Sequence, residues 1–187
     1  MKKLFLLLIA SILLNSFSYS QEKLNIDIQK STIKWMGEYT FYFGGHDGFI
    51  NFKEGYFIKT GDVITGGEFI IDMNSITNTD IKEQQGKEGL IDHLKNEDFF
   101  DVKKFSNSQI VITKVEYEDK NNARIEADLT LKGITKPINF RATFNYAEKE
   151  LKTRFKIDRK KWNVNYESKF KDGAISDAIG FEVTIKL

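Results

Sequence analysis

The stretches ARIEADLTLK at residues 123–132 and INFRATFNY at residues 138–146 decide the fold class. In the first, the apolar residues Ala123, Ile125, Ala127, Leu129 and Leu131 alternate with charged or hydroxyl-bearing residues. The second alternates in the same way. A period of two is typical of a β-strand that has one buried face and one face in water.

The same period recurs along most of the chain. Clear runs begin at Ile33 and Ile179, and weaker runs lie at 24–28, 49–52, 56–59, 68–73, 109–117 and 151–157. Short turn-forming links separate the runs, which predicts hairpins and an antiparallel sheet. Pro137 is expected to open a strand after a turn over 133–137. We predict one all-β domain, and periodicity alone leaves open a sandwich or a barrel of about eight strands.

The apolar side of each strand is expected to face the interior, because a shift of one residue would turn the whole face outward. The residues predicted to point inward are Trp35, Tyr39, Phe41, Phe69, Ile71, Leu129, Leu131, Phe140, Phe144, Phe155, Phe181 and Val183. An ordinary packed core and the wall of a ligand cavity would give the same pattern. Which of these residues would contact a ligand therefore stays open.

One segment breaks the strand pattern. Residues 75–105 lack alternation over a length that is unusual for a plain loop. Leu90 and Leu94 share a helical face, which predicts a short helix from Glu88 to Asn96. The adjacent aromatic residues Phe99 and Phe100 follow this helix. We predict that this insertion packs onto one end of the strand domain and closes it.

The first twenty residues have the pattern of a secretory signal peptide. Lys2 and Lys3 precede an apolar run, and Ser18-Tyr19-Ser20 supplies small residues for cleavage before Gln21. The apolar run is shorter than the roughly 20 residues that cross a membrane, so no stable membrane span is expected. The sequence predicts export to the periplasm or the medium, with a domain at 21–187.

Composition restricts the partners of that domain. Once Lys2 and Lys3 leave with the leader, 26 basic and 27 acidic side chains remain, a net charge of −1. Nucleic acid and anionic membranes both require a basic patch, so neither is the expected partner. The chain has no cysteine. Stability must therefore come from a core rather than from disulfide bonds.

The residues that carry chemistry are few. His46 and His93 are the only histidines, they show no metal-ligand spacing, and no serine or cysteine nucleophile motif is present. No catalytic or metal-binding residue is therefore predicted. His46, within the glycine-rich stretch 44–48, is expected at a polar rim. Arg159 is expected there too, either in a surface ion pair with Asp158 or in a site for a pyrophosphate head group.

Several blocks of sequence carry a family resemblance. They are Trp35 with Gly37, His46-Asp47-Gly48, Gly66-Gly67 to Met73, His93 to Val102, Leu129 to Pro137, and Ile157 to Asn163. In this order they make residues 31–187 resemble the YceI-like family of exported proteins that bind polyisoprenoid lipids. The resemblance implies an extended eight-stranded antiparallel lipocalin-like β-barrel with a short helical insertion.

The resemblance also implies a function. It implies a carrier, store or sensor of a polyprenyl or quinone-type isoprenoid lipid, which is bound inside the barrel with no other cofactor. The oligomeric state stays open, a dimer included. One alternative is an enzyme that modifies the bound lipid, with His46 pointing into the pore beside a carboxylate. Another is a ligand-free, stress-related interaction protein whose side chains fill the barrel.

Overall fold

The computed structural model describes residues 20–40, 43–166 and 175–187. Phe41 and residues 1–19 of the expected leader lie outside the described residues. The strands are β1 Gln21–Asn25, β2 Thr32–Tyr39, β3 Gly45–Thr60, β4 Val63–Asp72, β5 Asn107–Tyr117, β6 Asn122–Leu131, β7 Ile134–Asn145, β8 Glu150–Asp158 and β9 Ile175–Lys186. The helix α1 spans Gln84–Lys95, and single-turn helices lie at Met73–Ser75 and Arg159–Trp162.

The strands close into an eight-stranded antiparallel barrel. Hydrogen-bonded neighbours follow the order β3, β2, β9, β8, β7, β6, β5, β4, and β4 pairs again with β3. β1 pairs with the second half of β3, whereas β2 pairs with its first half. The two strands therefore share one side of β3, and β1 adds no further member to the ring. The predicted barrel is confirmed, and the sandwich is excluded.

The strand register explains why the alternation of apolar and polar residues predicted the buried faces correctly. In β6 the apolar residues from Ala123 to Leu131 are all buried, and Ala123 and Ile125 are fully so. Burying an aliphatic side chain is worth about 1.5–3 kcal/mol, so a shift of β6 by one residue would forfeit several such gains. The two weak runs at 49–52 and 56–59 belong to one long strand, β3.

The link between β6 and β7 is shorter than expected. Lys132 and Gly133 both have positive φ, 51° and 74°, and Leu131 pairs directly with Ile134. This is a two-residue hairpin turn, whose twist matches that of the strands. Pro137 therefore lies inside β7, opposite Asp128, and the prediction that it opens the strand is wrong.

The barrel wall is incompletely hydrogen-bonded between β7 and β8. Within the described residues, their ladder covers only the pairs from Ala142–Thr153 to Asn145–Glu150. The Thr153 hydroxyl donates to the carbonyl of Arg141, 2.7 Å away, where the ladder stops. We call residues 134–141 and 154–158 the β7–β8 seam. Pro137 is tolerated in the seam because β7 behaves there as an edge strand.

The insertion forms α1 and covers one end of the barrel. The helix begins four residues earlier than predicted because the Glu83 carboxylate accepts hydrogen bonds from the amides of Gln85 and Gly86. Leu94 and Phe99 are buried, and Leu90 and Phe100 pack on the core while half-buried. The predicted helix and its packing are confirmed.

The two ends of the barrel differ. The helical end carries α1 and the β2–β3, β6–β7 and β8–β9 connections, and the hairpin end carries the β3–β4, β5–β6 and β7–β8 connections. No helix in the described ranges is long and apolar enough to cross a bilayer.

Candidate functional site

An apolar cavity of about 140 Å³ runs along the barrel interior. Its wall is formed by Ile33, Trp35, Gly37, Ile50, Phe52, Phe57, Phe69, Ile71, Met73, Ile76, Leu94, Phe99, Phe100, Ser108, Ile110, Ile112, Ile125, Leu129, Leu131, Phe140, Leu151, Thr153, Phe155, Ile157, Ile179, Phe181, Val183 and Ile185. Along β9 the wall extends from Ile179 to Ile185, which is roughly 20 Å at about 3.3 Å per residue. The cavity is therefore long and narrow.

Most residues predicted to face inward lie on this wall. The structure brings together Trp35, Phe69, Ile71, Leu129, Leu131, Phe140, Phe155, Phe181 and Val183. Sequence reasoning did not select Ile50, Phe52 or Phe57, although Ile50 and Phe52 alternate within the weak run at 49–52. It also missed Met73, the last residue of the weak run at 68–73, and Ile76, which lies after β4 and carries no periodic signal.

Phe144 faces inward but does not contact the cavity. Its ring lies 6.4 Å from that of Phe57 and 5.6 Å from that of Tyr117, and it stacks on Tyr146 at 5.9 Å. The Tyr117 hydroxyl is shared with the backbone of Ile64 and with Tyr146. Burial and the hydrogen bond with Tyr146 raise the pKa of Tyr117. Phe144 therefore faces inward as predicted, and it helps to fill the hairpin end instead of lining the cavity.

The cavity wall offers no free polar group among the described residues. Its two hydroxyl-bearing residues, Ser108 and Thr153, each donate to a strand carbonyl at 2.7 Å, on Thr130 and Arg141 respectively. A hydroxyl already bonded to the backbone presents little hydrogen-bonding capacity to a ligand. Within the described residues, the wall therefore presents an apolar surface to whatever occupies the cavity.

Three aromatic rings form the wall beside the β7–β8 seam. Phe140 stacks on Phe155, with ring centroids 4.8 Å apart, and Phe155 lies 5.4 Å from Phe181. All three contact the cavity yet are only half-buried. Phe140 on β7 and Phe155 on β8 face each other across the seam, where no ladder joins the two backbones. Their stacked rings therefore bridge the seam between the cavity and solvent.

A hydrogen-bonded chain of polar side chains lies at the helical end. The Tyr39 hydroxyl is 2.9 Å from His46 Nε2, and His46 Nδ1 is 2.8 Å from an Asp80 carboxylate oxygen. His46 pairs with Gly37 in the β2–β3 ladder, and Gly37 lines the cavity. We call these three residues the Tyr39–His46–Asp80 chain. Tyr39, which was predicted to face inward, does not line the cavity: it lies beyond the wall, beside His46.

Asp80 was not predicted from the sequence, and its position depends on a glycine. The segment from Ile76 to Asp80 runs antiparallel beside the start of β3, with the amides of Thr77 and Thr79 donating to the carbonyls of Phe49 and Asp47. A Cβ at Gly48 would lie 1.9 Å from the Thr77 carbonyl, so only glycine permits this close approach. That carbonyl also accepts a hydrogen bond from the Trp35 indole at 3.0 Å.

The Asp80 carboxylate is held in its charged form. Burial by itself would raise its pKa, but hydrogen bonds from the Asp47 amide, His46 and Asn78 outweigh burial and hold the pKa below its usual value. The side chains of His46 and Asp80 are about two-thirds buried, at 31% and 30% exposure. A fixed carboxylate makes His46 Nδ1 the donor toward it.

Arg159 does not lie at an exposed rim. Its side chain is only 2% exposed. The guanidinium donates to the carbonyls of Ser176 and Val164 and lies 3.3 Å from a carboxylate oxygen of Asp177. The expected surface ion pair with Asp158, and a head-group site on Arg159, are both wrong because these partners already occupy the guanidinium. Arg159, just after β8, therefore links Val164 to residues 176–177 at the start of β9.

His93 lies on α1, and its ring packs against two aromatic rings that lie outside the helix. Its centroid is 4.3 Å from that of Tyr166 and 5.7 Å from that of Phe99. No group of three or more His, Cys, Asp or Glu residues in the described part of the chain is arranged to hold a metal ion.

Comparison with known proteins gives a match to the YceI-like domain over residues 24–187. The chain belongs to the YceI-like family. A UPF0312 protein of Pseudomonas putida (strain W619) is 45% identical over 53 residues, and one of Pseudomonas fluorescens (strain SBW25) is 43% identical over 53 residues. Each alignment covers 28% of this chain and 28% of the relative's length.

Two solved structures share the fold of this family member. Burkholderia cenocepacia BcnA superposes with a TM-score of 0.70 at 16% identity, over 86% of this chain and 98% of that chain. The Campylobacter jejuni YCEI protein superposes with a TM-score of 0.53 at 20% identity, over 72% of this chain and 82% of that chain. At these identities the likeness concerns the barrel fold alone.

Proposed function

We propose that this protein binds one long apolar lipid chain, of the isoprenoid type that the family resemblance implies, along the axis of its barrel. The observation that carries the proposal is the uninterrupted apolar wall of a long, narrow cavity. A chain-like ligand matches such a shape better than a compact ring does.

The hydrophobic effect is sufficient to drive this binding. Each CH₂ group taken out of water contributes about 0.8 kcal/mol before entropic costs. At a ligand efficiency of about −0.3 kcal/mol per atom, a chain of about forty carbons reaches roughly −12 kcal/mol, which is nanomolar affinity. No hydrogen bond to the wall is needed for such an affinity.

The cavity must widen to admit a long chain. Its volume of about 140 Å³ is close to the ~150 Å³ of an engineered apolar cavity that holds one benzene. Pockets for drug-sized ligands typically measure ~300–1,000 Å³. The half-buried rings of Phe140, Phe155 and Phe181 have room to move outward, and the seam beside them has no ladder to break. We infer that the lipid enters through the seam.

We propose that the protein carries or stores its lipid and does not modify it. The wall presents no acid, base or nucleophile in the described residues. The enzymatic alternative rests on the Tyr39–His46–Asp80 chain, which pairs His46 with a carboxylate but outside the cavity wall. We further propose that the chain is exported after cleavage before Gln21, and that it acts in the periplasm or the medium.

The test is to reduce the cavity volume and to measure bound lipid. Val183 lines the cavity on β9, and its neighbour Glu182 is exposed on the opposite face of that strand. Purified wild-type, Val183→Trp and Glu182→Trp proteins would be incubated with a polyprenol. Retained lipid would be quantified by native mass spectrometry and by extraction.

We expect Val183→Trp to bind at least tenfold more weakly and Glu182→Trp to bind like the wild type, with both variants folded by circular dichroism. Equal binding by both variants would place the lipid outside the barrel. Conversion of the polyprenol by the wild type, abolished in His46→Ala with binding intact, would establish turnover instead.

A further inference from the structure

The polar head of an amphiphilic lipid has no partner along the cavity wall. In the described part of the chain, the hydroxyls of Ser108 and Thr153 are already bonded to strand carbonyls. If the proposed function holds, the tail occupies the wall and the head must lie at one end. The two ends differ in what they offer to a polar group.

The hairpin end offers little. Phe57 and Phe144 are buried there, and their rings lie 6.4 Å apart. The Tyr117 hydroxyl is bonded to the backbone of Ile64 and to Tyr146. A polar head at this end would have to displace packed rings and an occupied hydroxyl.

The helical end offers the Tyr39–His46–Asp80 chain. His46 lies opposite Gly37 in the ladder, so its side chain leaves β3 on the cavity side, just past the last wall residue of β2. Tyr39 follows Gly37 on the same face of β2 and pairs with Ile175, which packs on the core. The Tyr39–His46–Asp80 chain therefore extends from the end of the cavity to the solvent-exposed rim.

The hydrogen bonds within the Tyr39–His46–Asp80 chain determine whether the helical end offers a donor or an acceptor to a ligand. Asp80 accepts from the Asp47 amide at 2.9 Å, from Asn78 at 2.5 Å and from His46 Nδ1 at 2.8 Å. In the neutral imidazole, Nε2 then accepts the Tyr39 hydroxyl proton. With this tautomer the Tyr39 hydrogen is committed to His46, and no donor within the described residues bonds to the Tyr39 oxygen, whose lone pairs can accept a hydrogen bond.

The charges around the Tyr39–His46–Asp80 chain also favour a neutral head group over an anionic one. Among the described residues no lysine or arginine pairs with Asp80, so its negative charge disfavours an anionic head. The neighbouring carboxylate of Asp47 is paired with Lys34 at 2.7 Å, so this lysine is already engaged. A phosphate head would meet an unneutralised carboxylate and an engaged cation.

We propose that the Tyr39–His46–Asp80 chain is the head-group site of the bound lipid, and that the head is a neutral hydrogen-bond donor. An alcohol or phenol at the end of the apolar chain donates its O–H to the Tyr39 oxygen. This proposal rests on the proposed function, because it assigns the polar end of the same ligand.

The experiment compares three lipids with one tail: a polyprenol, its methyl ether and its monophosphate. Binding would be titrated to wild-type protein, to Tyr39→Phe and to Tyr146→Phe. Tyr146→Phe removes a hydroxyl at the hairpin end and serves as the matched control. We expect the wild type and Tyr146→Phe to prefer the alcohol over the ether by about tenfold, the worth of one good hydrogen bond. Tyr39→Phe should bind the two lipids within about twofold of each other, with unchanged affinity for the ether.

The remaining outcomes are distinct. Equal binding of alcohol and ether by the wild type would overturn the head-group assignment while leaving lipid binding intact. An undiminished preference in Tyr39→Phe would overturn the role of Tyr39. Tighter binding of the monophosphate than of the alcohol would overturn the neutral donor. Binding of none of the three lipids would refute the proposed function itself.

Discussion

Replacing Phe99 with alanine tests whether the helical insertion is part of the core. Phe99 is 5% exposed and lines the cavity beneath α1. Its ring packs on Phe100 at 4.8 Å and on His93 at 5.7 Å, and the Arg159 guanidinium lies 6.0 Å from its centre. Truncation removes this burial and leaves a hole, which costs about 3–5 kcal/mol for a buried phenylalanine.

The assay is equilibrium unfolding in urea, followed by tryptophan fluorescence and circular dichroism. For an m-value at the upper end of the usual ~1–3 kcal/mol/M, the Phe99→Ala midpoint should fall by about 1–2 M. Phe43→Ala is the matched control because Phe43 is fully exposed, and its free energy of unfolding should stay within about 0.5 kcal/mol of the wild type. A Phe99→Ala midpoint equal to that of the control would show that the insertion is not part of the cooperative core.

Three further predictions concern the site. Gly48→Ala sets a Cβ against the Thr77 carbonyl and should lower the free energy of unfolding by about 1–3 kcal/mol. Gly89→Ala, at an exposed helix position with no atom within 4 Å, should raise it by about 0.5–1 kcal/mol. If urea unfolding showed the free energy changing in the same direction for both variants, the clash at Gly48 would be refuted. Asp80 has a folded pKa below its ordinary 3.8, so its contribution to stability is present above pH 3.8 and is lost as the pH falls through the folded pKa. The deficit of Asp80→Asn at pH 7 should therefore shrink as the pH falls below 3.8, and a deficit independent of pH would contradict this. Phe140→Ala removes one side of the stack across the seam and should speed the release of preloaded polyprenol in a stopped-flow transfer assay; an unchanged rate would argue for another route.

The residue pattern was sufficient to predict the walls of the barrel. Leu129 and Leu131, or Phe181 and Val183, alternate with polar neighbours, and the strand geometry carries that alternation directly into inside and outside. The predicted helix was found because Leu90 and Leu94 repeat at helical spacing. Its start was misplaced because Glu83, the capping residue, lies outside the apolar stripe that revealed the helix.

Position along the barrel axis could not be derived in this way. Phe144 and Phe140 look alike in the sequence, yet one packs against rings at the hairpin end and the other borders the cavity. Arg159 occurs in a charged stretch that indicates surface exposure, but carbonyls from a distant segment bury it. The positions of Phe144 and Arg159 both depend on which residues of neighbouring strands and connections lie at the same level along the barrel axis.

The local residue pattern was enough to predict the strands, their inward faces and the apolar character of the interior, because these follow from a period of two and from the cost of burying charge. The separation of β7 from β8 at Thr153, and the contact between Asp80 and His46 across 34 positions of chain, became evident only from the fold. The seam arises from closure of the barrel, and the Tyr39–His46–Asp80 chain arises from the close approach of residues 76–80 to Gly48. Such contacts between distant segments depend on how the barrel closes, and no local pattern in the chain records them.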